Sequence, residues 1–424
     1  MQRLFALVWM IVGVFSLTAY AQPVHIDIEA SGVRKMKVAM PTYVGPPEMA
    51  GAVWAVCEKD LQMSGIFEVI SPQSYISPGP MGEVQPGNLK DFALIGADYV
   101  ITATVGRQGT AGQFKVQVVE ISSAQVLMSA TYTSRADTMY MAVHTFMDTL
   151  LKEKFAIDGI FTSKIVAIRK DKGQKQLYVS WCDGTGGSVI RGGGSLVLNP
   201  AWSPDGKKIA FVSYARNNPD CYILDVATGK MKLVSSQRGI NITPAFDPSG
   251  TRLACTLSMD GNPELYSMNL DGTGRTRLTS SWATDTSPAF SPDGKRMVFC
   301  SSRAGNPQIF IMDVATKNAQ RISFEGTYNT EPVFSHRGDL VAFCYLVKGE
   351  GYHIAVVQPD GSKLRVLPGT GKGDESPAFS PDGRLIAFAS SDGNIYVTDL
   401  LGTTTVKVTS GGGFTEPAWS RPGM

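Results

Sequence analysis

One segment recurs six times in the second half of the chain, and it narrows the fold more than any other feature. Asn199-Pro-Ala-Trp-Ser-Pro-Asp-Gly206, Thr243-Pro-Ala-Phe-Asp-Pro-Ser-Gly250, Ser287-Pro-Ala-Phe-Ser-Pro-Asp-Gly294, Glu331-Pro-Val-Phe-Ser-His-Arg-Gly338 and Ser376-Pro-Ala-Phe-Ser-Pro-Asp-Gly383 align without gaps, and Glu416-Pro-Ala-Trp-Ser420 is a truncated copy. The repeat prolines Pro200, Pro244, Pro288, Pro332, Pro377 and Pro417 are spaced by 44, 44, 44, 45 and 40 residues. A fixed period of that length marks stacked or ring-arranged units.

Each unit reads as four strands. A short apolar strand (Ala201-Trp202) runs into a Pro-Asp-Gly turn, where Pro presets φ, Asp bonds local backbone and Gly takes φ > 0. A second apolar strand follows, as in Lys208 to Val212, and then a polar Asn/Gly turn such as Arg303 to Asn306. A third strand alternates, as in Gln308 to Asp313, and a short outer strand such as Thr276 to Thr279 ends the unit. Four strands in about 44 residues make one propeller blade. Residues 163–420 span 258 positions, close to six units of 44. Lys164 to Ile168 and Gln176 to Ser180 resemble the second and third strands of a blade that lacks its first, and the spare first strand is Pro417-Ala418-Trp419. The expected fold class is therefore an α/β N-terminal domain followed by an all-β six-bladed β-propeller, its ring closed by a blade shared between both ends. Closure removes the open sheet edges, whereas a solenoid would leave two uncapped ends.

Composition agrees with a globular chain of several domains. Of 424 residues, 43% are hydrophobic and 18% charged, and 39 Lys+Arg against 37 Asp+Glu leave a net charge of +2. That balance argues against a broad nucleic-acid binder. At the N-terminus, Arg3, the apolar run Leu4 to Leu17 and Ala19-Tyr20-Ala21 read as a signal peptide over 1–21, with cleavage after Ala21 and a mature start at Gln22. The run is shorter than the ~20 residues that span a bilayer. No Cys stands near the cleavage site, so no lipoprotein acylation is expected. The mature chain is expected to be exported and soluble. The six Cys lack C-x₂-C spacing, and Cys255, Cys300 and Cys344 lie inside apolar strand-like runs. Mostly free, buried thiols are expected, with Cys182 and Cys221 the pair to check for a disulfide.

Residues 22–157 lack the repeat and read as a small α/β domain. Val24 to Ile28 and Lys37 to Met40 look like strands, Glu48 to Met63 a helix, and Ile66 to Ile70 and Ala97 to Val105 strands. Phe114 to Ile121 with Val126 to Thr133 reads as a hairpin. Asp137 is expected to cap a last helix carrying Tyr140, Val143, Met147, Leu150 and Leu151 at helical spacing. The connection at 158–163 is short, so the two domains are expected to touch.

The repeat, together with Asp60 to Phe67, Gly96 to Val100, Ala142 to Asp148 and Gly159 to Ile165 in that order, resembles the TolB family of Tol–Pal envelope components. The resemblance covers essentially the whole mature chain, with Lys164 where Arg is common and Ser335-His336-Arg337-Gly338 replacing Ser-Pro-Asp-Gly in one blade. It implies a periplasmic, non-enzymatic scaffold that uses no cofactor or metal. The propeller would bind the outer-membrane lipoprotein Pal. The N-terminal arm, with Gln22, Val24, Ile26 and Ile28, would communicate with TolA; its own alternation of apolar and polar residues suits it either to add as a strand to a sheet edge or to stay free for a partner. Such a protein would be a monomer, reaching membranes only through Pal, TolA and other Tol proteins, and would support outer-membrane integrity and invagination during division.

In such a propeller the first strands line a tunnel and the loops before them ring one mouth. The polar residues there are Asn241, Thr243, Asp285, Thr286, Asn329, Thr330, Glu331, Asp374, Glu375, Thr415 and Glu416. Their carboxylates are expected to make the mouth acidic and to attract a basic partner surface. Other candidates read as structural. The Asp-Gly pairs at 205, 293 and 382 lack a D-x-D-x-D-G series and read as turns. His144 and Asp148 share a helix face with no third ligand nearby in sequence. Trp202, Trp282 and Trp419 read as blade packing, and the Gly-rich stretch 184–194 as a loop without a phosphate-binding pattern. A serine hydrolase would need G-x-S-x-G and an added domain, and neither is present. Lyase or quinoprotein chemistry would need basic, His or metal-binding groups in the tunnel, and only two of the four His fall in the propeller; a ligand sensor would need an apolar pocket in the tunnel.

Overall fold

The computed structural model describes residues 34–77, 79–191, 195–371 and 373–422. The leader, the strand expected at 24–28 and the arm residues Gln22, Val24, Ile26 and Ile28 lie outside the described residues.

The first domain is a five-stranded mixed sheet with helices. Its elements are β1 (Met36–Ala39), α1 (Pro47–Met63), β2 (Phe67–Val69), α2 (Leu89–Leu94), β3 (Tyr99–Gln108), β4 (Ala111–Glu120), β5 (Gln125–Arg135) and α3 (Tyr140–Phe155). The sheet order is β2-β1-β3-β4-β5, with β1 parallel to both neighbours and β3, β4 and β5 antiparallel. Alternate residues Phe114, Val116 and Val118 of β4 face the core with Val143, Phe146, Met147, Leu150 and Leu151 of α3 and Val53, Leu61 and Met63 of α1. Pro47 opens α1, where its missing N–H costs nothing. Asp137 does not cap α3. A short 3₁₀ turn over Ala136–Thr138 intervenes, and the Asp137 carboxylate accepts from Arg135 instead, at 2.7 Å and 3.1 Å.

The two domains share one hydrophobic core. The cluster under α1 and α3 continues through Ile160, Phe161, Ile165 and Ala167 to Leu385, Ala387, Val397, Val408 and Trp419 of the propeller. Each such side chain contributes about 1.5–3 kcal/mol when fully buried. The junction is therefore a core and not a surface touch. Asp148 pins the connection: its carboxylate accepts from the Phe161 and Thr162 amides at 2.8 Å and 2.9 Å and from Thr162 Oγ1 at 2.6 Å.

The second domain is a ring of six four-stranded antiparallel sheets. The closing blade pairs the C-terminal strand Phe414–Trp419 with β6 (Lys164–Asp171), followed by β7 (Gln174–Trp181) and β8 (Ser188–Arg191). Trp419 Nε1 donates to Ser163 Oγ at 2.7 Å, locking the two ends together. The Asp-Gly pairs are turns, as expected. Asp205, for example, accepts from the Lys207 amide at 3.1 Å and from the Ser203 hydroxyl. In the divergent copy the Gly338 amide still bonds the Ser335 carbonyl, and Asp339 accepts from Ser335 Oγ at 2.6 Å in place of the missing turn Asp.

All six Cys are free and buried. Cys221 lies against Cys255, not Cys182, and that hydrogen bond together with burial pushes its thiol up. Trp202 packs between blades, donating to the Ala418 carbonyl at 3.2 Å. Trp282 does not pack: it is 81% exposed, and the expectation for that residue is corrected.

Candidate functional site

The tunnel is built from one backbone device used six times. Asn199, Thr243, Ser287, Glu331, Ser376 and Glu416, each directly before a repeat proline, adopt φ between 49° and 56°. Pro disfavours a right-handed helical conformation in the residue before it, and a non-Gly residue at positive φ is uncommon. The register against the second strand slips at this point in every blade. These are bulges, which bend a strand and re-aim its side chains. All six residues line a tunnel cavity of about 360 Å³, with the six prolines beside them.

The bulge separates the expected site residues into two groups. Asn241, Asp285, Asn329 and Asp374 begin the first strands and are fully buried. They do not present their side chains at an open mouth: Asn241, Asn329 and Asp374 brace the loops that precede them, and Asp285 holds the turn that follows the second strand. Asn241 accepts from Ser235 Oγ at 2.7 Å and from the Gln237 amide at 2.8 Å. Asn329 donates to Gln308 Oε1 and to the Glu325 carbonyl, both at 2.8 Å. Asp374 accepts from the Thr370 amide at 2.8 Å, and Asp285 from Arg303 Nη2 at 2.6 Å. Burial raises the Asp285 carboxyl above its usual value despite that pairing.

The second group is open. Glu331, Glu375 and Thr415 are exposed, and Thr243, Thr286, Thr330 and Glu416 half-buried. Three carboxylates act on one another here. Burial raises Glu375, and the Glu331 charge raises it further. Burial also raises Glu416, and Glu331 again adds to it, while the Asn199 amide and Lys175, 3.6 Å away, pull the other way. Three like charges thus lie close enough at this mouth to act on one another.

The loops leading into the first strands add aromatic surface that the sequence reading missed. Trp282 and Phe324 are exposed on two successive loops, with Tyr328 beside Tyr352 at a ring distance of 6.4 Å. Trp282 stands outside the Pro-Ala-Trp frame of the repeat, and that was the available signal. Toward the far end of the same first strands, His336 stands where four blades have Pro and the closing blade Arg421, and its buried Nε2 has no partner.

A second polar cluster lies at the domain junction. His144 of α3 is not paired with Asp148. Its Nδ1 is 2.8 Å from Asp60 Oδ2 of α1, and its Nε2 is 3.0 Å from Thr185 Oγ1 and 3.5 Å from Asp183 Oδ1 in the β7–β8 loop. So acidic groups distant in sequence do converge on this residue. Asp60, His144 and Asp183 offer ligand-type atoms within 4.8 Å of one another, but hydrogen bonds already occupy both ring nitrogens.

A ring of six blades with a bulged, proline-lined tunnel and an α/β domain fused to one side defines a class: six-bladed β-propeller proteins with an N-terminal α/β domain. Comparison with known proteins places the chain within that class. The TolB beta propeller domain family matches residues 153–423 and the TolB amino-terminal domain family residues 24–127. The chain belongs to the TolB family. It is 32% identical to the Tol-Pal system protein TolB of Alcanivorax borkumensis over 51% of this chain and 50% of that protein. It is 31% identical to that of Albidiferax ferrireducens over 55% and 54%. The chain thus spans about half the length of these curated relatives in the matched region. The crystal structure of TolB from Acinetobacter baumannii superposes with a TM-score of 0.80, at 26% identity, over 92% of this chain and 97% of that one.

Proposed function

We propose that this chain is a non-enzymatic periplasmic scaffold of a Tol–Pal system. It docks the soluble domain of the lipoprotein Pal on the acidic mouth of the propeller and communicates with TolA through the arm at 22–28. In that role it helps hold the outer membrane and draw it in during division. The observation that carries the reading is the convergence of Glu331, Glu375 and Glu416, with Thr286 and Thr330, on one mouth, with exposed Trp282 and Phe324 on the loops that lead into two of its first strands. Acidic groups steer a basic partner and exposed aromatics anchor it. The family membership and the named Tol-Pal relatives point to the same system.

Titration calorimetry with the soluble domain of the cognate Pal tests this. The mature chain should bind saturably, and a variant with Thr286, Thr330, Glu331 and Glu375 changed to Ala should bind at least about tenfold more weakly, a loss of 1.4 kcal/mol or more. The buried Asp285 is left intact so that its pair with Arg303 is kept. Undiminished binding by the variant would move the site off this mouth.

A further inference from the structure

The Asp60–His144–Asp183 cluster carries more than packing. Both domains contribute to it: Asp60 and His144 come from α1 and α3, while Asp183 and Thr185 come from the propeller's β7–β8 loop. Asp60, His144 and Asp183 are fully buried.

The hydrogen bonds fix where protons sit. Thr185 has one hydroxyl hydrogen, and it goes to Asp183 Oδ1 at 2.7 Å; the Thr185 amide donates to the same oxygen at 2.8 Å. Thr185 Oγ1 must therefore accept from the ring, so Nε2 carries a proton. A second proton lies between Nδ1 and Asp60 Oδ2. The ion pair and the neutral pair place the same heavy atoms at the same 2.8 Å, so this proton belongs to the pair. Losing it would leave two bare carboxylates facing a neutral ring in a site without water access, and Asp60 Oδ1 and Asp183 Oδ2 already lack partners there.

We infer that His144 is a proton-dependent clasp between the two domains, closed while the Asp60–His144 pair holds its shared proton and loosened when that proton leaves. When the β7–β8 loop swings away, Asp183 and Thr185 leave the ring and the pair becomes solvated. The docked form thus holds the proton to higher pH than the opened form does.

The surrounding groups act in this direction. Burial alone would lower His144, but the Asp60 and Asp183 carboxylates, with Asp148 on α3 itself, outweigh it and hold the imidazole above its usual value. Burial pushes Asp60 up to about 7, with Asp183 and Asp148 adding to it and His144 opposing. Cys182, beside Asp183, is also pushed up by burial and adds no charge. Tyr140 and Trp181 flank the ring at 6.0 Å and 5.9 Å, and Lys164 lies over Trp181 rather than on the carboxylates. Both members of the pair take up protons more tightly in the docked form. Their contribution is therefore present on the acid side and is lost as pH rises through neutrality and above.

The test uses the mature full-length chain in buffer with a chelator, so that no divalent ion contributes. The ring resonances of His144 are followed by NMR across pH 5–9 and assigned by their loss in His144→Gln. In parallel, hydrogen exchange is measured at 57–65 and 182–187. The clasp predicts that the pair's one titration step, read at the ring resonances, falls above the ordinary imidazole value of about 6.5. It also predicts an opening constant, corrected for intrinsic exchange, that rises by up to about tenfold per pH unit above that step and is flat in the Asp60→Asn/His144→Gln double variant, which removes both members of the pair. A step at or below about 6.5 would overturn the proposal, as would parallel pH dependence in wild type and double variant. Should the double variant fail to fold, the wild-type titration and the slope of wild-type exchange still decide.

Discussion

Arg384, from the propeller, donates from Nη1 to the carbonyl oxygen of Ser64 at the C-terminal end of α1, 3.0 Å away. The same guanidinium pairs with Asp382, whose side chain is almost completely buried. A repeat turn is thereby tied to a helix terminus, where unpaired carbonyls favour a cation. Removing one partner of a buried pair typically costs about 3–5 kcal/mol, because the other charge stays buried. Arg384→Ala should lower urea-unfolding stability by about 3 kcal/mol. Arg384→Lys should recover only part, since Lys cannot form the fork. Loss of less than about 1 kcal/mol in the Ala variant would show that Asp382 is relieved by water.

Asp148 gives a second test of the junction. Its three accepted bonds hold the connection at Phe161 and Thr162. Hydrogen bonds to a charged group are worth about 1.5–3 kcal/mol. Asp148→Ala should destabilise by roughly 2–3 kcal/mol and raise proteolysis at 158–163. A variant with unchanged cleavage there would contradict the pinning role.

The left-handed ring predicts opposite effects at one position. Ser287 has φ 54°, and its hydroxyl makes no hydrogen bond to the described residues. Ser287→Gly should be neutral or stabilising by up to about 1 kcal/mol, as strain is relieved against the extra chain entropy. Ser287→Val should destabilise by more than that, because a branched side chain resists positive φ. Thermal unfolding of both variants checks the sign.

The acidic mouth carries a cost at neutral pH. Glu375 and Glu416 have raised folded-state values, so their favourable contribution is present below the usual carboxylate range and is lost as pH rises through those values. Glu331→Gln removes the charge that acts on both. It should stabilise slightly at pH 7, by well under about 1 kcal/mol after solvent screening. The gain should shrink as pH falls and the neighbours protonate. Melting curves at pH 7 and pH 4 measure it, and an equal gain at both would rule out charge repulsion as the cause.

Trp282→Ala separates binding from folding. With the ring 81% exposed, its loss should leave the melting temperature unchanged. If it anchors Pal, the affinity should fall about tenfold or more. Unchanged affinity would remove the aromatic rim from the proposed surface.

The repeat made the propeller legible because its information is local. Pro, Asp and Gly at fixed offsets set each turn, and the 44-residue spacing counts the blades. The spare strand at Pro417 to Trp419 revealed the closure for the same reason. What stayed hidden depends on distance or on broken periodicity. Asp60 lies 84 residues from His144, and Thr185 lies 41 beyond it. The only local trace was a polar residue inside each apolar stripe, which made the α1 face look imperfect. Asn241 and Thr243 carry similar groups two positions apart, yet one braces a loop and the other lines the tunnel. The bulge between them interrupts the strand's regular alternation, and residue type alone could not reveal that. Asp137 failed as a cap because it lies inside the 3₁₀ turn over Ala136–Thr138, which puts Met139 at the cap position, and its carboxylate pairs with Arg135.

If the acidic mouth is the docking surface, hydrogen exchange of the mature chain with and without a saturating soluble domain of its Pal will show it. New protection is expected at 279–286, 323–331, 373–376 and 413–416, with the outer strands of the blades unchanged. Protection confined to those outer strands or to the N-terminal domain, at saturation, would contradict it.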